Sequence, residues 1–486
     1  MLIINGTVVT AEGVIASDVR IRGEKIAELA AGLSPLPGEE VIDASGLLVL
    51  PGGVDVHTHM DLLVGTARAA DSFLTGSIAA ACGGTTTIVD HMAFGPVGCS
   101  LQHQLDAYHV LADGKAVIDY GFHGVVGHVD DNVLAEMDQL VRQGVTSLKL
   151  YLTYDQRLDD ESILRVLARA RELGMMICVH CENHAIVSWL RESVMAEGHT
   201  QARCHASSRP DYAEAEAVGR MIALSRTVGG APLYLVHTSA AASLLAADVA
   251  WGPDAQDAQS ERDAQSESAV GDPHQKSPTP LPVFLETCPQ YLTLDAAHYD
   301  DPGDEGLKYL MSPPLRHERD REALWEACLD GRIDVIGTDH CPFFFTEKQA
   351  RGARDFRLCP NGIPGVELRL ALMHSEGVVK RDMSLSRFVA LTSTLPARRF
   401  GLYPQKGTIA VGSDADIVLF DAGREVEVTH ELLHEHVDYT PWEGWHVTGW
   451  PIMTFSRGVA IMKAGEFIGR EGQGRYLHRA LPDLER

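Results

Sequence analysis

From about residue 51 to residue 400, strand-like and helix-like segments alternate along the chain eight times. Short apolar runs fall at 54–57, 86–89, 119–125, 147–150, 176–180, 233–237, 283–287 and 334–338. Stretches with helical spacing of apolar residues separate most of them, at 131–143, 161–173, 213–226 and 239–250, and 366–374 and 385–391 add two more. Eight such units predict an α/β fold built on a (β/α)8 TIM-like barrel. A doubly wound open sheet is the alternative, but no Gly-x-Gly-x-x-Gly follows the first of these strands.

The two ends have a different texture. Runs of Val, Ile and Leu at 2–7, 18–22, 25–29 and 47–50 lie between Gly, Asn and Pro, and similar runs return at 415–420 and 459–462 before a turn at 463–466. We read residues 1–50 and 401–486 as the two parts of one small β-sandwich domain, with residues 51–400 as the barrel. Segment 252–280 is rich in Asp, Gln, Ser, Ala and Pro and nearly lacks large apolar residues, which predicts a flexible insertion on the barrel face away from the chemistry.

With 486 residues and 45% hydrophobic content, the chain can bury a large core and more than one domain. A formal charge of −26 argues against a nucleic-acid or anionic-membrane partner, either of which calls for a basic patch. No apolar stretch is long enough to span a bilayer, and the first residues lack the pattern of a signal peptide. Nine scattered cysteines, an odd count without framework spacing, predict a reducing, cytoplasmic setting. Cys178 and Cys181 form a Cys-x-x-Cys pair, but a structural zinc site wants a second such pair, and none exists. A redox motif or two ordinary buried thiols remain.

Barrel enzymes carry their reactive groups where strands end at the C-terminal face. The first predicted strand ends in His57-Thr58-His59, whose histidines project side by side because alternate residues of a strand share a face. The fourth contains Lys149 between two leucines, a costly place for an unpaired ammonium. The fifth ends in His180, the sixth in His237, and the eighth in Asp339-His340. Singly, each has an ordinary explanation: a core histidine, a helix cap at Asp339, a lysine reaching the barrel mouth. Together they place nitrogen and oxygen ligands on one rim, as a divalent ion such as zinc requires. The donors exceed what one four-coordinate ion needs, so two ions are expected, about 3.5–4 Å apart and bridged by hydroxide. Carboxylation of Lys149 by CO2 turns it into a carbamate, which supplies a bridging anion and explains its placement.

These residues, in this order, resemble the cyclic-amidase branch of the amidohydrolase superfamily. Further stretches strengthen the likeness: Asp90-His91-Met92, the run from Lys149 to Tyr154, Glu286-Thr287-Cys288-Pro289-Gln290-Tyr291-Leu292 and Ser312-Pro313-Pro314-Leu315-Arg316. Asn361-Gly362-Ile363-Pro364-Gly365-Val366-Glu367 and Tyr439-Thr440-Pro441-Trp442-Glu443-Gly444 extend it toward the C-terminus. The chain is similar, nearly end to end, to the hydantoinase/dihydropyrimidinase family, and within it to the D-phenylhydantoinases. Only 252–280 has no counterpart there.

The resemblance implies a ligand set. His57, His59, Lys149 and Asp339 would hold one metal, and carboxylated Lys149, His180 and His237 the other, with zinc, manganese or cobalt acceptable. It makes Tyr154 a hydrogen-bond donor to the substrate carbonyl, and the backbones of Ser312 and Asn361 the grip on the cyclic amide edge. Cys181 stands where relatives often carry another small residue. The reaction implied is ring opening of 5-substituted hydantoins, aryl ones included, to N-carbamoyl amino acids by a metal-bridging hydroxide, with Asp339 shuttling the proton. Met60, Leu62, Leu63 and Phe94 are read as an apolar wall for the ring substituent, or as loop packing. Opening of dihydrouracil or dihydrothymine is the alternative activity, allantoinase a third. Some members of this branch have lost their ligands and serve as scaffolds, a reading set aside because every ligand position and Tyr154 are occupied here. The partner expected is a small cyclic amide, and relatives are commonly homotetramers or homodimers.

Overall fold

A computed structural model describes residues 1–251 and 281–485. The expected insertion at 252–280 lies outside the described residues.

Eight parallel strands form the central sheet. They are β1 (Gly53–Thr58), β2 (Thr85–His91), β3 (Asp119–Val125), β4 (Ser147–Tyr151), β5 (Met176–His180), β6 (Leu233–Leu235), β7 (Val283–Thr287) and β8 (Val335–Ile336). Each pairs with its sequence neighbour in one continuous order from β8 back to β1. The seam between β8 and β1 is closed by a parallel bridge from Thr58 to His340. Below that bridge the buried Arg369 guanidinium donates to the carbonyls of Val54 and Ile336, one on each strand. A side chain thus supplies hydrogen bonds that the short last strand cannot.

Alternation along the strands divides the core. Val54, Val56, Cys178, Tyr234 and Phe284 fill the barrel interior with Phe400 and Leu477, while Leu148, Leu150, Ile177 and Leu285 face the surrounding helices. The expected helices are present as Asp131–Arg142, Asp160–Leu173, Asp211–Thr227 and Ala241–Trp251. Those expected at 366–374 and 385–391 are short, Arg369–Met373 and Leu385–Val389. Each continues into a wider π turn, His374–Val379 and Ala390–Thr394.

The chain ends form two sheets. One has four strands, and the other has seven and joins Leu48–Pro51 antiparallel to Ile417–Glu427. Ile3, Val19, Ile26, Val49, Ile417 and Phe455 from the two sheets pack into a core of their own. The strand expected at 2–7 is two strands, Leu2–Ile4 and Thr7–Thr10, in different sheets. Asn5 turns the chain between them at φ +63°, and a Cβ on Gly6 would lie 2.4 Å from Val49. A hairpin strand, Gly13–Ala16, was not expected, and the strand expected at 415–420 runs from Ile417 to Glu427.

A charge cluster fastens these sheets to the barrel. Buried Lys406 reaches Asp119 at the start of β3 at 2.6 Å, Asp416 at 2.7 Å and Asp414 at 3.0 Å. Removing one partner of a buried ion cluster leaves uncompensated charge, so Lys406→Met is expected to cost about 3–5 kcal/mol. A fall of several degrees or more in melting temperature, or a matching loss in urea, is the readout; an unchanged melting temperature would show that the cluster does not secure the junction.

Candidate active site

The residues singled out at the strand ends meet on one rim. His57 Nε2 lies 3.1 Å, and His59 Nε2 3.0 Å, from the same Asp339 carboxylate oxygen. These three residues form a group whose ligand atoms fall within 4.8 Å of one another. Across the rim, His180 Nδ1 and His237 Nε2 approach to 2.9 Å. Lys149, 1% exposed, points into the barrel, because its neighbours Leu148 and Leu150 point out.

Three of these positions have unusual backbone. Tyr154, His237 and Asp339 adopt positive φ, at +72°, +42° and +53°. Such conformations cost energy for residues other than glycine and persist where the surrounding structure imposes them, often at functional sites. Each lies just beyond a strand end, where the turn swings the side chain back over the barrel mouth.

Carboxylates behind the rings set which nitrogen faces the site. His57 Nδ1 donates to Glu286 at 2.5 Å, and His180 Nε2 donates to Glu182 at 2.7 Å. With a cation bound, the opposite nitrogens would offer their lone pairs toward the centre, the arrangement typical of metal-bound imidazole. His57 Nε2 is buried and makes no well-formed hydrogen bond, despite its nearness to Asp339. Burial works against charge on His57, but Glu286 and Asp339 outweigh it and hold its proton up to about 9. Burial likewise raises Asp339, yet His57 and His59 keep its carboxyl well below the usual range. The field at the His57–Asp339 side therefore favours a positive charge, and the donor set of imidazoles and a carboxylate fits a divalent cation. Burial pushes the Lys149 pKa down, toward the neutral amine.

Other expected groups lie close by. The Tyr154 ring packs 5.2 Å from that of His180. Leu310, two residues before Ser312, accepts from the Gly362 N–H, which joins the Ser312 and Asn361 segments. Ser312 Oγ and Asn361 Oδ1 are buried polar atoms that make no well-formed hydrogen bond among the described residues. The apolar wall is only partly there. Met60 is fully buried against Gly76 and belongs to the core, and Leu62 packs on a small cluster with Ala67 and Phe343, whereas Leu63 is 54% exposed on a hairpin and Phe94 packs 5.3 Å from Tyr151. Met60 directly follows His59, and the chain turns inward there because Asp90 accepts its backbone N–H.

Cys178 and Cys181 do not form a redox pair. Cys178 belongs to the barrel interior and Cys181 to the outer core, because three residues on a strand end put side chains on opposite faces. Both thiols are free, and burial pushes both pKa values up, away from reactive thiolate.

Sequence reasoning gave no role to Glu286 or His91, although both lie in stretches that carry the family likeness, and it missed Glu182 and Arg209. Glu286 carried the same signal as Lys149, a charge within an apolar strand, and it accepts both the His57 ring proton and the Tyr234 hydroxyl. His91, at the end of β2, lies 4.6 Å from the His57 ring, and neither of its ring nitrogens makes a hydrogen bond among the described residues.

Comparison with known proteins agrees with this geometry. The amidohydrolase family model matches residues 48–461. A D-phenylhydantoinase of Escherichia coli is 47% identical over 480 residues, covering 99% of this chain and 98% of that protein. The crystal structure of a dihydropyrimidinase from Brevibacillus agri superposes with a TM-score of 0.90 at 42% identity over 99% of both chains. An L-hydantoinase (dihydropyrimidinase) from Arthrobacter aurescens gives 0.83 at 28% identity, covering 98% of both. A barrel rim carrying this donor set, with likeness of this extent, makes the chain a cyclic amidase that belongs to the hydantoinase/dihydropyrimidinase branch of the amidohydrolase family.

Proposed function

We propose that this enzyme opens 5-substituted hydantoins, D-aryl ones preferred, to N-carbamoyl amino acids. The observation that carries the reading is the convergence of His57, His59 and Asp339 opposite His180 and His237, with Lys149 beneath. The 47% identity to a D-phenylhydantoinase, against 28% to an L-hydantoinase, favours the D-aryl substrate.

His57, His59, Lys149 and Asp339 would hold one divalent ion, and Lys149 with His180 and His237 the second, Lys149 being carboxylated. Zinc suits these donors, and manganese and cobalt accept them too. When bound, the two ions supply an acidified water and charge that polarises the scissile carbonyl. Asp339 takes the water's proton as its oxygen adds to the ring carbonyl carbon. The same carboxyl then gives that proton to the ring nitrogen as the C–N bond breaks. Tyr154 donates its O–H to the carbonyl oxygen as negative charge gathers there. The backbones of Ser312 and Asn361 hold the amide edge of the ring. Tyr154→Phe is expected to lower kcat about 10²-fold with KM nearly unchanged. A kcat within about threefold of the parent would remove that role.

The likeness to a dihydropyrimidinase at a TM-score of 0.90 favours dihydrouracil as the second reading. The test is kcat/KM for each enantiomer of 5-phenylhydantoin against dihydrouracil, on one zinc-replete preparation with bicarbonate present. Preference for the D-aryl substrate supports the proposal, and preference for dihydrouracil overturns it in favour of pyrimidine ring opening. We also place the enzyme in the cytoplasm as a homotetramer or homodimer; nine free cysteines suit a reducing compartment. Among the described residues no helix is long and apolar enough to cross a membrane.

A further inference from the structure

The segment around Arg203–Ser207 touches three separate parts of the site. His205 Nε2 donates to the Met311 carbonyl at 2.7 Å, one residue before Ser312. Arg209, 5% exposed, donates through Nη1 to Glu182, the carboxylate that accepts from the His180 ring. The same guanidinium lies over the Tyr154 ring, 5.4 Å from its centre. Arg209 is itself held, since Arg316 donates to its carbonyl while pairing with Glu214 at 3.0 Å and Ser239 at 3.0 Å.

Tyr154 needs such support. It stands in a left-handed backbone conformation on the loop after β4. Arg157 donates to its carbonyl, and its ring rests on Tyr151 and His180. A planar fork suits the task of meeting a carboxylate and an aromatic ring at once, which an ammonium does poorly. Glu182 in turn has one carboxylate oxygen without a hydrogen bond among the described residues, so its side-chain hydrogen bonds go to Arg209 and His180.

We propose that Arg209 is a positioning residue that ties Tyr154 to His180 through Glu182, keeping the carbonyl-oxygen donor in register with the ligands on β5. The inference rests on the roles of Tyr154 and His180 given above. Displacing a catalytic group by about 1 Å is enough to cost about 10²-fold in rate. Arg209→Gln is therefore expected to lower kcat about 10²-fold, with KM changed less than about threefold. Zinc retention against a chelator should fall about 10–100-fold, because Glu182 no longer orients His180. Arg209→Lys, which keeps the charge but not the fork, should restore zinc retention and leave kcat low.

The deciding measurement is the double-mutant cycle of Arg209→Gln with Tyr154→Phe, scored by kcat on zinc-replete protein. If Arg209 acts through Tyr154, the double variant is no slower than Tyr154→Phe alone. Losses that multiply, with Tyr154→Phe itself slow, overturn the coupling and leave the role of Tyr154 standing. Tyr154→Phe at the parent rate overturns the role of Tyr154 and the coupling with it. Should Arg209→Gln fail to fold, the same cycle with Arg209→Lys decides: full recovery of kcat in that variant overturns the proposal, since charge alone would then suffice.

Discussion

Asp339→Ala is expected to retain no more than about 10⁻⁴ of the parent kcat, the upper range for loss of a proton-transfer group. Among the described residues, Asp339 is the acid paired with both His57 and His59 on their site-facing nitrogens. Glu286 stands behind His57 on the opposite ring nitrogen, fully buried, and faces no substrate. The Asp339 side chain is 16% exposed and sits on a turn at φ +53°, so its carboxylate reaches both the histidines and the open barrel mouth. In the proposed reaction, the proton removed from water and the proton given to the ring nitrogen would both pass through this one carboxylate. Asp339→Asn keeps the shape and removes the basic oxygen, so it should be equally inactive. The two variants, assayed on 5-phenylhydantoin beside a metal analysis of the same preparations, separate proton transfer from metal loss. Either variant turning over above about a tenth of the parent kcat would sink the assignment of Asp339.

Lys149→Ala is expected to fold normally, to bind less metal and to lose about 10³-fold or more in kcat, the equivalent of several kcal/mol of charge stabilisation. Lys149 lies in the barrel interior and, among the described residues, forms no ion pair with an acid. An ammonium there is poorly solvated, so replacing it should not weaken the fold. Burial drives the side chain toward the neutral amine, the form that reacts with CO2. Carboxylated as proposed, it would become an anion among imidazoles that otherwise face each other across 2.9 Å. Metal per chain, melting temperature and kcat are measured together, and labelled bicarbonate reports the carbamate in the parent. Full metal content and parent activity in Lys149→Ala would remove the carbamate reading.

The strand-end residues were legible because strand alternation and burial together expose them. Side chains alternate along a strand, and barrel strands are buried on both faces, so a histidine, lysine or aspartate at the end of an apolar run stands out from its surroundings. His57, His59, Lys149, His180, His237 and Asp339 all announce themselves in this way, and all eight barrel strands lie where the apolar runs predict them. The same rule would have found Glu286, had a strand acid been weighed as Lys149 was. Cys178 and Cys181 show its reach: spacing alone suggested a motif, while strand geometry puts the two thiols on opposite sides of the sheet.

Arg209 could not be found this way. It lies in a connection between helices, and what singles it out is the company of Glu182 and Tyr154, separated from it by 27 and 55 positions. Met60 follows His59 directly, yet it turns into the core, a choice made by Gly76 and Asp90 from other elements. Asn5 splits one expected strand because the apolar pattern continues through a turn that sends its halves to different sheets. The sequence by itself determined the barrel, the pairing of the two ends and the donor types on the rim, since each follows from burial and repeat within a short window. Only the tertiary structure decided which ring nitrogen faces inward, which carboxylate lies behind it and which distant cation lies against the Tyr154 ring. Those depend on contacts between segments far apart in the chain, and no local periodicity records them.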